Sequence, residues 1–265
     1  GNLDDLSGLM AAVGQVAPNL PQGLGRDKLR VTTQATFTNS TLNLRELALT
    51  LDQNAITGAA DITLGGARPL IKANLALGDF DLAGADTGGG AERDVDGATT
   101  GWSTDPIDVS ALSVVDAELA LAANSLALGT TRLNRTALLV TLQDSRAVTE
   151  IRELTAYDGA VAGSVVVNGR GGLSSRVNLS GSAIAIARLL NELVGYDRLI
   201  AAGDVSLSVL GSGNTMYALM NSLNGEGSFN IGAGEVLGFD IVGMLKSLDT
   251  SFIGSGSKTI FDRIS

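Results

Sequence analysis

Catalysis and metal binding draw on a short list of side chains, and two of them are missing here: the 265 residues include no His and no Cys. That removes a Cys/His zinc site, a Cys nucleophile and a Ser–His–Asp triad. Gly254-Ser255-Gly256-Ser257-Lys258-Thr259 ends like a phosphate-binding loop. However, Ser257 stands where the glycine before the lysine belongs, and Phe252 where the first glycine does. Without those glycines the backbone amides cannot close around a phosphate. Gly211-Ser212-Gly213 and Gly232-Ala233-Gly234 lack the third glycine of a dinucleotide fingerprint and read as a loop or bulge. No Gly-x-Ser-x-Gly elbow occurs. Carboxylates do pair at i, i+2, as Asp79 with Asp81, Asp94 with Asp96, and Asp116 with Glu118. On a strand each pair shares a face, which is a conceivable calcium geometry, but a solvated strand face or acidic loop is the plainer reading. No catalytic residue, metal ligand or cofactor is expected, and the chain reads as a non-enzyme.

The composition points to a folded chain with a real core. Hydrophobic residues make up 45%, charged residues 17% and aromatics 4%, so the apolar content is almost all Leu, Val, Ile and Ala. The net charge of -10 repels phosphate backbones, so nucleic acid is not an expected partner. No apolar run is long enough for a spanning helix, and the first residues lack the basic start and apolar core of a secretory leader. The abrupt start and finish suggest a piece of a longer protein.

Period-two alternation dominates, the pattern of strands with one apolar and one polar face. Leu29, Val31, Thr33, Ala35 and Phe37 alternate with Arg30, Thr32, Gln34 and Thr36. Leu42 and Leu44 lead to a slip at Arg45-Glu46, then Leu47, Leu49 and Leu51. The slip predicts a β-bulge, because one extra residue keeps the leucines on one face. Similar runs hold Ile56 to Leu64, Ala73 to Leu82, Val115 to Leu128, Leu138 to Leu142, Ile151 to Val167, Val177 to Leu179, Val205 to Val209, and Phe229 with Ile231. Helical spacing is rare. Ile186, Leu189, Leu190 and Leu193 form one stripe, stopped by Gly195. Asn214 is expected to cap a second short helix with Met216, Leu219, Met220 and Leu223. Ile241, Met244, Leu245 and Leu248 suggest a third helix, and residues 3–13 a fourth. Asn54–Gly58 resembles Gly159–Gly163, and Ala73–Leu77 resembles Val177–Gly181, at offsets of 105 and 104 positions. Repeated strand modules favour an elongated sheet over a closed globule.

Three regions follow. Residues 1–82 form an N-terminal β portion. Residues 83–101, rich in glycine and charge without period, read as a flexible loop or linker. Residues 102–265 form a longer β region with short helices. The apolar side of the strands admits two readings: a sandwich core in which two sheets cover each other, or a face left for lipid. Few aromatics, long Leu-rich strands and few helices favour the second. The residues expected to line such a groove are Leu47, Leu49, Ile62, Leu75, Leu119, Leu121, Val140, Val165, Val205, Leu207 and Phe229.

Four stretches resemble the AsmA family of Gram-negative envelope proteins. They are Leu49–Gly58 with Ala67-Arg68-Pro69 and Leu75–Leu82; Gly101-Trp102-Ser103 with Pro106-Ile107-Asp108 and Asp116–Leu119; Tyr157–Gly163; and Ser222–Ser228 to Gly238-Phe239-Asp240. Together they cover most of residues 29–245. The family's N-terminal membrane anchor is missing here, as expected of a soluble periplasmic fragment. The resemblance implies a mainly β fold: a long, curved, taco-like antiparallel sheet with an apolar groove and a few short helices. It implies a bridge-like lipid-transfer module in the periplasm, tethered to the inner membrane in the full-length protein and moving phospholipid between the two membranes. Phospholipid or another acyl lipid is then the expected partner, with envelope proteins as further ones. The alternative is a scaffold for outer-membrane protein assembly. The family supplies no catalytic residues to carry over.

The residues suit a lipid carrier on physical grounds. Each exposed CH₂ costs about 0.8 kcal/mol, so a 16-carbon chain costs roughly 12 kcal/mol in water. A surface of Leu, Val and Ile removes most of that cost without directional demands, so a chain can slide along it. A nine-residue strand rises roughly 30 Å, enough to lie along the hydrocarbon of one leaflet, about half of a ~30 Å core. Gly58 and Gly163, inside strands, would permit the sheet to curl. Helices at 184–194 and 215–223 would plug or flank the groove.

Overall fold

A computed structural model of the chain describes residues 24–25, 28–82, 91–93, 99–128, 131–239 and 253–263. The chain opens with a meander of β1 (Leu29–Thr38), β2 (Thr41–Leu51), β3 (Asn54–Thr63) and β4 (Leu70–Ala76). It then leaves the sheet through β5 (Asp79–Asp81), the paired strands β6 (Ala91–Arg93) and β7 (Thr99–Trp102), and a 3₁₀ turn at Ser110–Ser113. It returns as β8 (Asp116–Ala123), makes β9 (Ser125–Leu128) and β10 (Thr131–Leu133), and resumes meandering through β11 (Thr136–Gln143), β12 (Arg146–Ala156), β13 (Gly159–Asn168) and β14 (Ser174–Ala185). Helix α1 (Ile186–Val194), β15 (Leu199–Ser212), helix α2 (Met216–Asn221), β16 (Asn224–Phe239) and β17 (Ile253–Phe261) complete the described chain.

Twelve of these strands form one curved, open sheet in the order β1-β2-β3-β4-β8-β11-β12-β13-β14-β15-β16-β17, and 68% of the residues are strand. The mainly β fold expected from the alternation, in the long curved sheet that the family resemblance implies, is therefore what forms. All neighbours are antiparallel except β4 and β8, which run parallel. The excursion from Leu77 to Val115 carries the chain back to the end of the sheet where β4 began, so β8 has to start in the same direction. The parallel pair joins strands from both sides of residues 83–101. Part of that segment, read above as a loop, is the β6–β7 pair; the rest lies outside the described residues.

The local chemistry explains the hairpins. Asn39-Ser40, Asp144-Ser145 and Tyr157-Asp158 all have positive φ at both positions, from 49° to 65°. That is the two-residue turn whose twist matches the flanking strands, and Asn and Asp tolerate it best. The predicted bulge is present: the β2–β3 register shifts between Leu44 and Leu47, and Glu46 takes φ 50°. Helix α1 stops at Gly195, in the left-handed conformation, as its spacing predicts. Its Leu193 side chain lies outside what is described.

Helix α2 departs from expectation at both ends. Thr215, not Asn214, caps it, accepting a bond from the Ala218 amide at 3.0 Å. The Asn214 carboxamide instead accepts from the Leu173 amide at 3.1 Å, holding the β13–β14 connection. The helix ends at Asn221, and Asn224-Gly225 begin β16 rather than terminate it. The helices expected over 3–13 and 241–248 lie outside the described residues.

The internal repeat has a structural basis. Gly58 and Gly163 each sit on a strand that follows a bulged one: the register shifts between Leu44 and Leu47 on β2, and between Ile151 and Thr155 on β12. Their φ values are 155° and 144°. A Cβ on Gly58 would lie 2.0 Å from the Asn74 carbonyl oxygen, and one on Gly163 would lie 2.0 Å from that of Asn178. Each glycine pairs with the leucine after that asparagine, Leu75 and Leu179 respectively. Bulge, glycine strand and Asn-Leu strand thus form one three-strand module used twice.

The apolar face as candidate functional site

Residues directly opposite one another on neighbouring strands share a face, so the register maps the sheet's two sides. One row runs Leu47, Gly58, Leu75, Leu121, Leu138, Ile151, Gly163, Leu179, Leu207, Gly227. Ten consecutive strands contribute to it, and no position carries a polar side chain. The adjacent row, two residues along each strand and three across the bulge of β2, runs Ala35, Leu44, Ala60, Ala73, Leu119, Val140, Thr149, Val165, Val177, Val209, Gly225. Its one polar member is Thr149. Leu42, Ile62 and Ile71 lie in a third row, and Leu49 with Ile56 and Val205 with Phe229 fall in a fourth.

All eleven residues expected to line the groove therefore lie on one face of one sheet. The expectation had omitted Leu138, Ile151 and Leu179, which stand in the same row as Leu121 and Leu207. The alternation marks them equally well, but lateral order cannot be read from a linear pattern.

At about 4.8 Å per strand, the eleven spacings across twelve strands make this face about 50 Å wide. It is incompletely covered. Leu47 is 7% exposed, but Leu207 is 40% and Phe229 53% exposed, and the other eight expected lining residues are half-buried. A sandwich core would hide side chains of this size almost fully.

The other face is built differently. A representative row reads Ala59, Asn74, Ala120, Leu139, Glu150, Ser164, Asn178, Ser208, Glu226. Arg45 pairs with Asp61 at 2.7 Å, and Lys72 with Glu118 at 3.0 Å. The hydrogen bond it donates to Asp61 holds the Arg45 guanidinium above its ordinary pKa. Three open hollows of about 540, 560 and 520 Å³ follow small side chains of this face, such as Ala162, Ser180 and Ser206, Asn178 and Ser208, or Ala120, Ala122 and Ala137.

The paired carboxylates belong to ordinary contacts. Asp116 meets Arg68 at 3.3 Å, Glu118 meets Lys72, and Asp79 accepts from the Ser125 hydroxyl at 2.8 Å. Asp94 and Asp96 lie outside the described residues. Among the described residues no three acidic side chains gather as a cation site would require.

The ends of the apolar face are furnished with short elements. β5 and β9 continue β4 and β8 beyond kinks at Gly78 and Asn124 and, with β10, form a second sheet of three strands. Asn54, 1% exposed and on the apolar side of β3, donates to the Asp81 carbonyl at 2.8 Å and accepts from its amide at 2.7 Å. This fastens β5 over the apolar side and buries Phe80 to 4% exposure. Farther across, Ile184, Ile186 and Ile231 form a buried cluster with Val161, Leu189, Leu190 and Val205, seating α1 on the same side. The predicted flanking helix is thus found at the margin of the apolar face.

Such an assembly, a single open sheet with one hydrocarbon side and one polar side, defines a class of protein that offers an extended apolar surface. Among the described residues no helix is long and apolar enough to cross a membrane. The chain belongs to the AsmA family, whose model matches residues 1–261. No curated protein and no solved structure matches it. AsmA is a bacterial envelope family, and membership is consistent with roles in envelope lipid transport or assembly.

Proposed function

We propose that this chain is a non-enzymatic, lipid-carrying segment of a periplasmic protein tethered to the inner membrane. Its apolar face would shield phospholipid acyl chains on their way between the two membranes. The observation that carries the reading is the ten-strand row with no polar side chain. A chain lying against it meets Leu, Ile or Gly at every strand, so no position holds it much more tightly than the next. The partial exposure of that row from Leu75 to Leu207 supports the reading as well, since those side chains keep apolar area for a ligand to cover. The polar reverse face would meet water.

Native mass spectrometry of protein purified from cells, followed by lipid extraction, tests this. Bound phospholipid at about one or more molecules per chain is the expected result. Lipid-free protein that takes up none from phosphatidylethanolamine vesicles would overturn it and favour the scaffold role in outer-membrane protein assembly.

A further inference from the structure

The two long margins of the apolar face are covered in different ways. On the side of the Asp52-Gln53 and Tyr157-Asp158 turns, buried groups anchor the covering pieces: Asn54 and Phe80 hold β5, and Ile184 and Ile186 seat α1. On the other side, residues 103–115 run past the strand ends from β15 to β8. The segment starts at α2. There the Tyr217 amide donates to the Ser103 carbonyl at 2.9 Å, the Ile107 amide donates to the Asn214 carbonyl at 2.8 Å, and Pro106 forms a bridge to Thr215. It ends where the Asp116 amide donates to the Pro69 carbonyl at 2.9 Å. Midway, Val109 and Leu112 lie over Gly169: a Cβ on that glycine would be 3.4 Å from Val109 Cγ2 and 3.7 Å from Leu112 Cδ1. Gly169 extends the β12–β13 ladder, its amide donating to the Ser145 carbonyl at 2.8 Å. It follows Asn168, which shares the reverse face with Ser164, so by alternation its Cβ direction is the apolar side.

Given the lipid reading above, we propose that residues 103–115 are a strap that closes the β8–β15 stretch of this margin and lifts to admit a phospholipid from the side. Its attachment is weak. No side chain from Ser103 to Val115 is buried, and Val114 is 61% exposed. Between Asp108 and Val115 no hydrogen bond reaches the sheet among the described residues. The Asp108 carboxylate accepts from the Ser110 amide, and the Ser113 hydroxyl donates to the Ser110 carbonyl, both within the strap. A segment with so few buried contacts opens locally at far lower cost than a margin anchored by buried Asn54, Phe80 and Ile184. Its length makes the opening two-state. Nine residue steps lead from Ile107 to Asp116, three of them in the 3₁₀ turn. At about 3.3 Å per extended step and about 2 Å per 3₁₀ step they cover about 26 Å, while five strand spacings from β8 to β15 take about 24 Å. With almost no slack the strap cannot bow outward, so its middle is either seated on Gly169 or released from it. Two residues inward from the Ser145–Gly169 level lie Ala147 and Val167, and beyond them Thr149 and Val165 of the apolar rows. Release of Val109 and Leu112 gives an acyl chain that side entrance.

A reversible lock tests the strap, and the chain has no Cys to compete with it. Val109→Cys with Gly169→Cys puts a sulfur near the place of Val109 Cγ2, 3.4 Å from the new Cβ, which suits a disulfide with its Cβ atoms about 3.5–4.5 Å apart. Leu112→Cys with Gly169→Cys is a second lock, and loss of free thiols reports closure of either. Transfer of a fluorescent phosphatidylethanolamine from vesicles to the whole chain is timed in the oxidised form and again after reduction. The oxidised form is expected to load at least tenfold more slowly, to release preloaded lipid more slowly by a similar factor, and to reach the same final amount; reduction restores both rates. Oxidised and reduced rates within twofold of each other overturn the strap and leave the lipid reading standing. An unchanged rate with a lower final amount also overturns it, since residues 103–115 would then belong to the binding surface. Absence of uptake by the reduced variants and the unaltered chain alike overturns the lipid reading and the strap with it.

Discussion

Replacing Leu119 and Leu121 together by Asp should abolish phospholipid binding while leaving the strand content unchanged. The two positions stand in adjacent rows at the centre of the apolar face, opposite Val140 and Leu138. Asp in contact with hydrocarbon costs about 2.5–3.5 kcal/mol per residue. Two such changes therefore remove on the order of 5 kcal/mol or more from binding, at least a thousandfold at 1.4 kcal/mol per factor of ten. The fold should survive because both side chains are only half-buried and keep access to water. Lipid extraction and far-ultraviolet circular dichroism read the two effects separately. The same change on the reverse face, Ser206→Asp with Ser208→Asp, should leave binding within about twofold, since an exposed charge on a polar face contributes little. If both double variants bind alike, lipid contact is not confined to the apolar side.

Gly58→Ala and Gly163→Ala should be among the most damaging single changes to the sheet. Each added methyl would sit 2.0 Å from a carbonyl oxygen of the next strand, Asn74 or Asn178. Relieving that contact means prying the backbones apart. Overpacking costs about 1–3 kcal/mol, and the positive φ adds about 1–2 kcal/mol for a residue with a Cβ. A loss of about 2–5 kcal/mol is expected at either position, read as a lower denaturant midpoint. Gly78 provides the comparison. Its φ is 61°, but a Cβ there would meet nothing within 4 Å, so Gly78→Ala should cost only about 1–2 kcal/mol. Equal effects at Gly58 and Gly78 would mean that close strand approach does not matter at the repeated module.

Much of this molecule was legible in its alternation because a strand's side chains have a strict period of two. Any residue in step with Leu47 and Leu49 must share their side, and one bulge at Arg45-Glu46 was enough to keep the count. The glycine modules were visible as a weak repeat, although their purpose, close backbone approach, required the register. Lateral order was not legible. Nothing in the pattern from Leu70 to Ala76 states that its neighbour is Asp116–Ala123 or that the two run parallel; that is decided by where a long excursion brings the chain back. The short strands at the margin of the apolar face were not legible for a related reason. β5 and β10 have three residues each, too short to show a period, and their placement depends on single contacts such as Asn54 with Asp81. The misplaced cap of α2 is a local case. Asn214 and Thr215 are both good caps, and the tertiary bond from Leu173 to Asn214 decides between them.

Because the chain contains no Cys, one residue at a time can carry a thiol-linked, polarity-sensitive fluorophore with no background labelling. Leu121→Cys, Leu179→Cys and Leu207→Cys place it in the unbroken apolar row; Ala120→Cys and Ser208→Cys place it on the reverse side. On adding phosphatidylethanolamine vesicles, the three apolar-row positions should shift to the blue as hydrocarbon replaces water, and the two reverse positions should not move. Emission that stays fixed at all three row positions, or shifts equally on both sides, would contradict the assignment of that row to fatty chains.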